Sequence, residues 1–230
     1  TCDEMQKIAQ EVSPLLTAFS NDIALNEELF KRVKAVYDQK DTLTLTTEQA
    51  TLLDKKFKGF SRNGALLNEE DKLKLREIDT ELAKVKLTFG ENVLAETNNY
   101  QLHITNEADL KGLPDGAKEM AATLAKSKNL EGWVFTLDFP SYLPFVTYVE
   151  NRELRKEIAI AAGKKSFQGN EFDNKENVKR IVELRHKRAN LLGYQSHSHF
   201  VLEERMAQNP EKVQSFLNDL LEKAKPAAQK

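Results

Sequence analysis

The sequence predicts a mostly α-helical protein: a multi-helix array with long antiparallel helices and at most a small two-stranded β element around residues 100–104 and 132–137. Three observations predict it. Apolar residues recur at spacings of three and four over most of the chain, the period of one helix face. With 9 Gly and 6 Pro in 230 residues, few positions interrupt a helix. Alternation at period two is confined to two short stretches, which can pair into a small sheet but cannot dominate a fold.

In chain order, Ser13-Pro14 reads as a helix start, with Ser13 as N-cap and Pro14 at the first helical position. Asn26 caps a second helix through Glu27, Leu29, Val33 and Val36. Thr46 and Gln49 have capping-box spacing ahead of a third. Asn68 opens the longest helix, where Leu75, Ile78, Leu82, Val85 and Phe89 form one stripe that wants a helical partner. The pattern breaks at Thr97-Asn98-Asn99. Tyr100 to Ile104 then alternates as a strand, Thr105 to Leu110 is a capped turn, and a helix runs from Pro114 to about Lys126. Gly132 to Leu137, dense in aromatic and β-branched residues, is the second strand.

Ser141 is the expected N-cap of the next helix, with Pro144 in its first turn and an end near Ala162. Gly163 to Asp173 is a polar loop. Asn174 caps a helix through Ile181, Val182, Leu184 and Leu192, stopped by Gly193. Asn209-Pro210 starts the last helix. No repeat of fixed period is present, which argues against a solenoid. The chain is expected to be one helical region, 1–230, with a possible sub-boundary near 99–140.

Composition removes whole classes of function. The 34 basic and 36 acidic residues leave a formal charge of −2, unlike a dedicated nucleic-acid binder, so no nucleic-acid partner is expected. One Cys rules out a disulfide framework or a thiolate zinc cluster within the chain. The longest apolar run, Phe139 to Val149, holds two prolines and falls short of the roughly 20 residues of a membrane span, so no membrane partner is expected either. Thr1-Cys2-Asp3-Glu4 is acidic and lacks the apolar core of a signal peptide. The C-terminal stretch Ala224 to Lys230 stops inside a helical pattern, and both ends read as interruptions of a longer polypeptide.

Little in the sequence points to chemistry of its own. None of the four histidines, His103, His186, His197 and His199, belongs to an H-E-x-x-H motif. His197 and His199 form the one close pair, with Glu203 the best available third ligand. On a helix, residues two apart point about 200° apart and cannot share a metal; in an extended stretch they could. No phosphate loop or nucleophile elbow is present. The clusters Lys55-Lys56-Phe57-Lys58 and Arg185-His186-Lys187-Arg188 read as solvated helix faces. The sequence therefore assigns no catalytic, cofactor-binding or metal-ligating residue.

Several stretches nonetheless resemble one family in order. They are Phe89-Gly90-Glu91-Asn92-Val93-Leu94 with Thr97-Asn98; Ile104 to Pro114; Leu137 to Tyr148; Asn151-Arg152-Glu153-Leu154-Arg155; Leu184-Arg185 to Leu191-Leu192-Gly193-Tyr194; and Met206-Ala207 before Asn209-Pro210. Over about residues 10–220 the chain resembles the thimet oligopeptidase family of zinc metallopeptidases. The resemblance implies an almost wholly helical protein, divided by a deep channel that admits short peptides. It implies zinc held by the two His of H-E-x-x-H and a more distant Glu, with the motif's own Glu activating water. No position here matches a ligand or the base, and His197 and His199 fall where the family places none. The resemblance makes this an N-terminal-to-middle portion that starts after the family's first helices, Thr1 to Gln10 already being helix interior. Zinc belongs to the full-length parent, with ligands outside this chain. The implied partners are short peptide substrates and a C-terminal catalytic half of the same polypeptide.

Two classes of function follow. The first is the non-catalytic helical portion of a zinc-dependent oligopeptidase or peptidyl-dipeptidase, forming one wall of the substrate channel and inactive alone. The second is a stand-alone helical scaffold or interaction domain without enzymatic activity. The expected compartment is the cytoplasm, with the periplasm and secretion left open.

Overall fold

The computed structural model describes residues 2–229, with Asp3 described by its backbone alone. Thr1 and Lys230, the extremes of the two ends read above as interruptions, lie outside the described residues. The fold is mostly helical. Helices α1 (Asp3–Ala24), α2 (Glu27–Tyr37), α3 (Thr47–Ser61) and α4 (Glu69–Asn99) lead to strand β1 (Leu102–Ile104). Helix α5 (Asp115–Ser127) and strand β2 (Trp133–Phe135) follow, then α6 (Phe139–Tyr148), α7 (Arg152–Gly163), α8 (Lys175–Leu191), α9 (His197–Leu202) and α10 (Pro210–Ala228). Among the described residues, no helix is long and apolar enough to cross a membrane.

The chain divides into two compact units, Thr1–Lys86 with Lys179–Lys230, and Leu87–Val178. Both divisions fall within helices, α4 and α8.

In the discontinuous unit, most helix starts sit where the sequence places them. Asn26 Oδ1 accepts from Leu29 N at 2.8 Å, Asn68 Oδ1 from Asp71 N at 2.8 Å, and Asn209 Oδ1 from Lys212 N at 2.9 Å. Thr46 and Gln49 complete a reciprocal capping box. Aromatic rings join α2 to α3: Tyr37 stacks on Phe57 at 3.9 Å between centroids, and buried Phe30 lies against Phe57 and Phe60. Leu75 is fully buried, and the rest of its predicted stripe, Ile78, Leu82, Val85 and Phe89, is half-buried. Gly193 ends α8 with φ +85°, a left-handed conformation that costs glycine no Cβ clash, and Tyr194 N donates back to Ala189 O.

One predicted start is corrected. Ser13 caps nothing; it lies inside α1, and Pro14 is an interior proline. Residues 3–12 are rich in good helix formers and carry the helix past it, while the Ser13 carbonyl accepts the Thr17 hydroxyl at 2.9 Å.

The contiguous unit has one core, built from Leu102, Ile104, Leu110, Leu113, Ala121, Phe135, Leu137, Phe145, Val149 and Ile158. Strands β1 and β2 pair antiparallel with Leu102 opposite Phe135, His103 opposite Val134 and Ile104 opposite Trp133. Leu102, Ile104 and Phe135 point into the core; His103 on the other face is exposed. Phe135 meets Phe145 at 4.5 Å between ring centroids. At Gly132, φ is +83° and a Cβ would stand 2.3 Å from the Ile104 carbonyl oxygen, so only glycine lets the strands close here.

The expected single helix from Ser141 to about Ala162 is two helices. The first begins at Phe139 after Asp138, because the Ser141 hydroxyl accepts from Thr136 N at 3.0 Å instead of capping. The chain then turns at Val149 and Glu150. Glu150 N donates to Lys111 O at 2.8 Å, Arg155 Nη1 donates to the carbonyls of Val149 and Glu150, and Asn151 caps α7 by accepting from Glu153 N and Leu154 N.

Candidate functional site

A group of interacting polar and aromatic side chains in the discontinuous unit surrounds Arg62. It is assembled from the C-terminal cap of α3, the faces of α4 and α8, and α9. The Arg62 Nε lies 2.5 Å from Glu203 Oε2 and 3.2 Å from the Tyr194 hydroxyl, and an Nη2 hydrogen goes to the Phe200 carbonyl. Tyr194 donates its hydroxyl to Glu203 at 2.7 Å. The Phe200 ring lies between two guanidinium groups, with Arg62 at 4.8 Å and Arg188 at 5.2 Å from its centroid. Arg188 in turn donates to Asp79 at 2.7 Å and to Asn63 at 3.2 Å.

The electrostatics follow from that geometry. Burial works against the Arg62 charge, but Tyr194 and Glu203 outweigh it and hold the guanidinium pKa above its ordinary value. The hydrogen bond from Tyr194, reinforced by Arg62, keeps the Glu203 carboxyl below the usual carboxylate range. Burial, with Arg185, Arg188 and Lys86 nearby, pushes the His197 pKa down. The group is thus a closed set of satisfied charges. It fixes α9 against α3, α4 and α8, and it leaves no nucleophile paired with a free base.

The histidines are parted. His197 and His199 both lie on α9, which spreads them around the helix. His197 stacks beside Phe200. Ser196 Oγ caps the helix at the His199 N–H and lies 2.8 Å from His199 Nδ1. Glu203, the third ligand the sequence offers, faces Arg62 and Tyr194. His103 faces the Glu131 carbonyl in the other unit.

The zinc implied by the resemblance does not fit these residues. Among the described residues, no three His, Cys, Asp or Glu side chains gather where they could hold a metal ion. The signal that could have pointed to the Arg62 group is the Leu191-Leu192-Gly193-Tyr194 run, which supplies Tyr194. Arg62, Phe200 and Glu203 stand in no local pattern.

The contiguous unit carries two further features. A groove of about 650 Å³ runs between α5, β2 and the start of α6, lined among others by Met120, Leu124, Val134, Thr136 and Ser141. Its walls are largely apolar, and the Ser141 hydroxyl is already engaged. Buried Asn174 tethers the start of α8 to α4: its Nδ2 donates to the Phe89 carbonyl, and its Oδ1 accepts from Asn92 at 2.9 Å and Asn177 at 2.8 Å. The buried Glu96 carboxylate accepts from Gln168 and Asn170. Asn92, Asn151, Arg155 and Tyr194 all come from the stretches that carry the family resemblance, and each makes a structural bond.

Comparison with known proteins agrees with the resemblance. The sequence model of peptidase family M3 matches residues 145–230. The chain is 35% identical to oligopeptidase A of Escherichia coli (strain K12), over 99% of this chain and 34% of that protein. It is 32% identical to dipeptidyl carboxypeptidase of Salmonella typhimurium, over 98% of this chain and 33% of that one. It is 25% identical to saccharolysin of Saccharomyces cerevisiae, over 99% of this chain and 31% of that protein. The chain thus spans about a third of the length of these curated relatives. Over that third, the chain belongs to peptidase family M3, the thimet oligopeptidase family.

Proposed function

We propose that this chain is the non-catalytic helical portion of a zinc-dependent peptidase that hydrolyses short peptides, and that it forms one wall of the substrate channel. The observation that carries this reading is the match itself. It extends over 99% of the chain to oligopeptidase A but covers 34% of that protein, and the described residues supply no metal-binding set. The zinc ligands and the base that activates water then belong to polypeptide outside these residues. The part played here is scaffold: the Arg62 group and the Asn174 tether fix helices whose faces limit what enters the channel.

The test is to express the complete reading frame and residues 1–230 side by side. The full polypeptide is expected to cleave an internally quenched peptide of about ten residues, to lose that activity to a chelator, and to carry stoichiometric zinc by elemental analysis. The 1–230 chain should do none of these. Chelator-sensitive hydrolysis by the 1–230 chain, or a reading frame that closes near Lys230, would overturn the reading.

A further inference from the structure

Beside the Arg62 group, three basic side chains have no acidic partner. Helices α4 and α8 are tied within the discontinuous unit by Arg188 to Asp79 at 2.7 Å and by the Arg180 fork to Glu81 at 2.5 Å. Arg185 lies one turn before Arg188 on α8, and Lys86 lies two turns beyond Asp79 on α4, so each shares a face with a residue of the Arg188–Asp79 tie. Helix α9 adjoins those faces: the Phe200 ring is 5.2 Å from the Arg188 guanidinium, and His197 stacks beside Phe200. The neighbouring charges are already paired. Arg180 is held by Glu81 and Glu183, Lys187 by Glu183 at 2.6 Å, and Arg188 by Asp79. Among the described residues, Lys86, Arg185 and His197 make no hydrogen bond or ion pair. Arg185 and His197 are nonetheless half-buried, and a guanidinium that gives up hydration is stable only beside a counter-charge. Around His197 the field is that of cations alone: Arg185, Arg188 and Lys86 each disfavour its protonation, and no carboxylate offsets them.

We propose that Lys86, Arg185 and His197 form a binding site for a phosphate dianion, either free phosphate or the phosphate monoester of a small molecule. Three features choose that chemistry. The Arg185 fork presents parallel N–H donors that match two oxygens of one phosphate, and the Lys86 ammonium is a point charge on a flexible stem that reaches a third. Two permanent positive charges match a dianion, which a phosphate monoester largely is at pH 7, better than they match the single charge of a carboxylate. The His197 imidazole, kept neutral at that pH by burial and its cationic neighbours, takes up a proton more readily once an anion lies beside it. Arg188 does not join the set, because Asp79 holds it. The proposal is independent of where the zinc ligands of the parent polypeptide lie.

The experiment titrates the 230-residue chain with inorganic phosphate at fixed ionic strength, followed by calorimetry and by proton NMR of the histidine rings. His197→Gln identifies the His197 signal. Phosphate is expected to bind saturably and to move the His197 titration to higher pH, because the bound anion favours the imidazolium. The signal of His103, in the other unit, should stay where it is. Arg185→Gln should weaken phosphate binding about tenfold, the loss of one charge-assisted contact, and so should Lys86→Gln at an exposed position where the fold is not at stake. Lys187→Gln removes a charge of the same helix that Glu183 already pairs, and should change the affinity by less than about twofold. Two further ligands separate the sources. O-Phosphoserine binding more tightly than inorganic phosphate names a monoester as the occupant, and the reverse order names free phosphate. An unmoved His197 titration in phosphate overturns the proposal. So does acetate binding as tightly as phosphate, or an equal loss in Lys86→Gln and Lys187→Gln, which reduces the effect to diffuse surface charge.

Discussion

Arg62 shows how much one side chain can hold. It carries hydrogen bonds to three residues that lie 132 to 141 positions away in sequence and stacks on a fourth group, the Phe200 ring. Arg62→Ala leaves the Phe200 carbonyl without its Arg62 donor and Glu203 with the Tyr194 hydroxyl alone, and should lower unfolding stability by about 1–3 kcal/mol, read from the urea midpoint. Glu203→Gln keeps the shape and removes the charge, so it gives a cleaner pH test. The folded protein holds the Glu203 carboxyl below the ordinary value of 4.5, so between its folded and unfolded pKa values the unfolded chain binds more protons. The Glu203 contribution is therefore complete above about pH 4.5 and shrinks as pH falls through the lowered folded value. Urea titrations at several pH values from 3 to 7 should show the advantage of the parent chain over Glu203→Gln narrowing below pH 4.5. A gap that stays constant over that range would mean the carboxylate contributes nothing specific.

At the scale of elements, the corner between α6 and α7 depends on Asn151. Its Oδ1 caps α7, and its Nδ2 donates to Asp109 at 2.9 Å, joining the corner to the turn before Leu110. Asn151→Ala should cost about 1–2 kcal/mol, seen as a lower Tm of the contiguous unit, and Asn151→Ser, which keeps a capping oxygen without setting a second carboxylate against Asp109, should cost less. Elements of this kind are also where the sequence is most and least legible. Asn26, Thr46, Asn68 and Asn209 announce their helices because a cap is a bond between neighbours three residues apart. Gly193 announces an end for the same local reason. Ser13 and Ser141 carry the same signal, but Ser13 lies inside α1, which is already helical from Asp3, and the Ser141 hydroxyl is taken by Thr136 N. The Arg62 group escapes a sequence reading altogether, because its members meet only after α3, α8 and α9 have packed.

At the scale of the whole molecule, the contiguous unit contains its own core. Every residue of the cluster from Leu102 to Ile158 lies within Leu87–Val178. Residues 87–178 expressed alone should therefore give a cooperative thermal transition by circular dichroism. Phe135→Ala should lower its stability by about 3–5 kcal/mol, since Phe135 is fully buried against Phe145. A gradual, non-cooperative melt of the isolated segment would show that it borrows its order from the rest of the chain.

The discontinuity of the other unit bears on synthesis. Arg62 and Asp79 leave the ribosome long before Arg188, Tyr194 and Glu203, and residues 87–178 emerge between them. At roughly 5–20 residues per second, that intervening stretch takes on the order of 5–20 s to translate. For that interval α2, α3 and the first half of α4 wait as an open, greasy hairpin array while a complete small domain folds behind them. The nascent chain therefore presents chaperones with unpartnered apolar surface early, and anything that slows translation through the middle third prolongs that exposure.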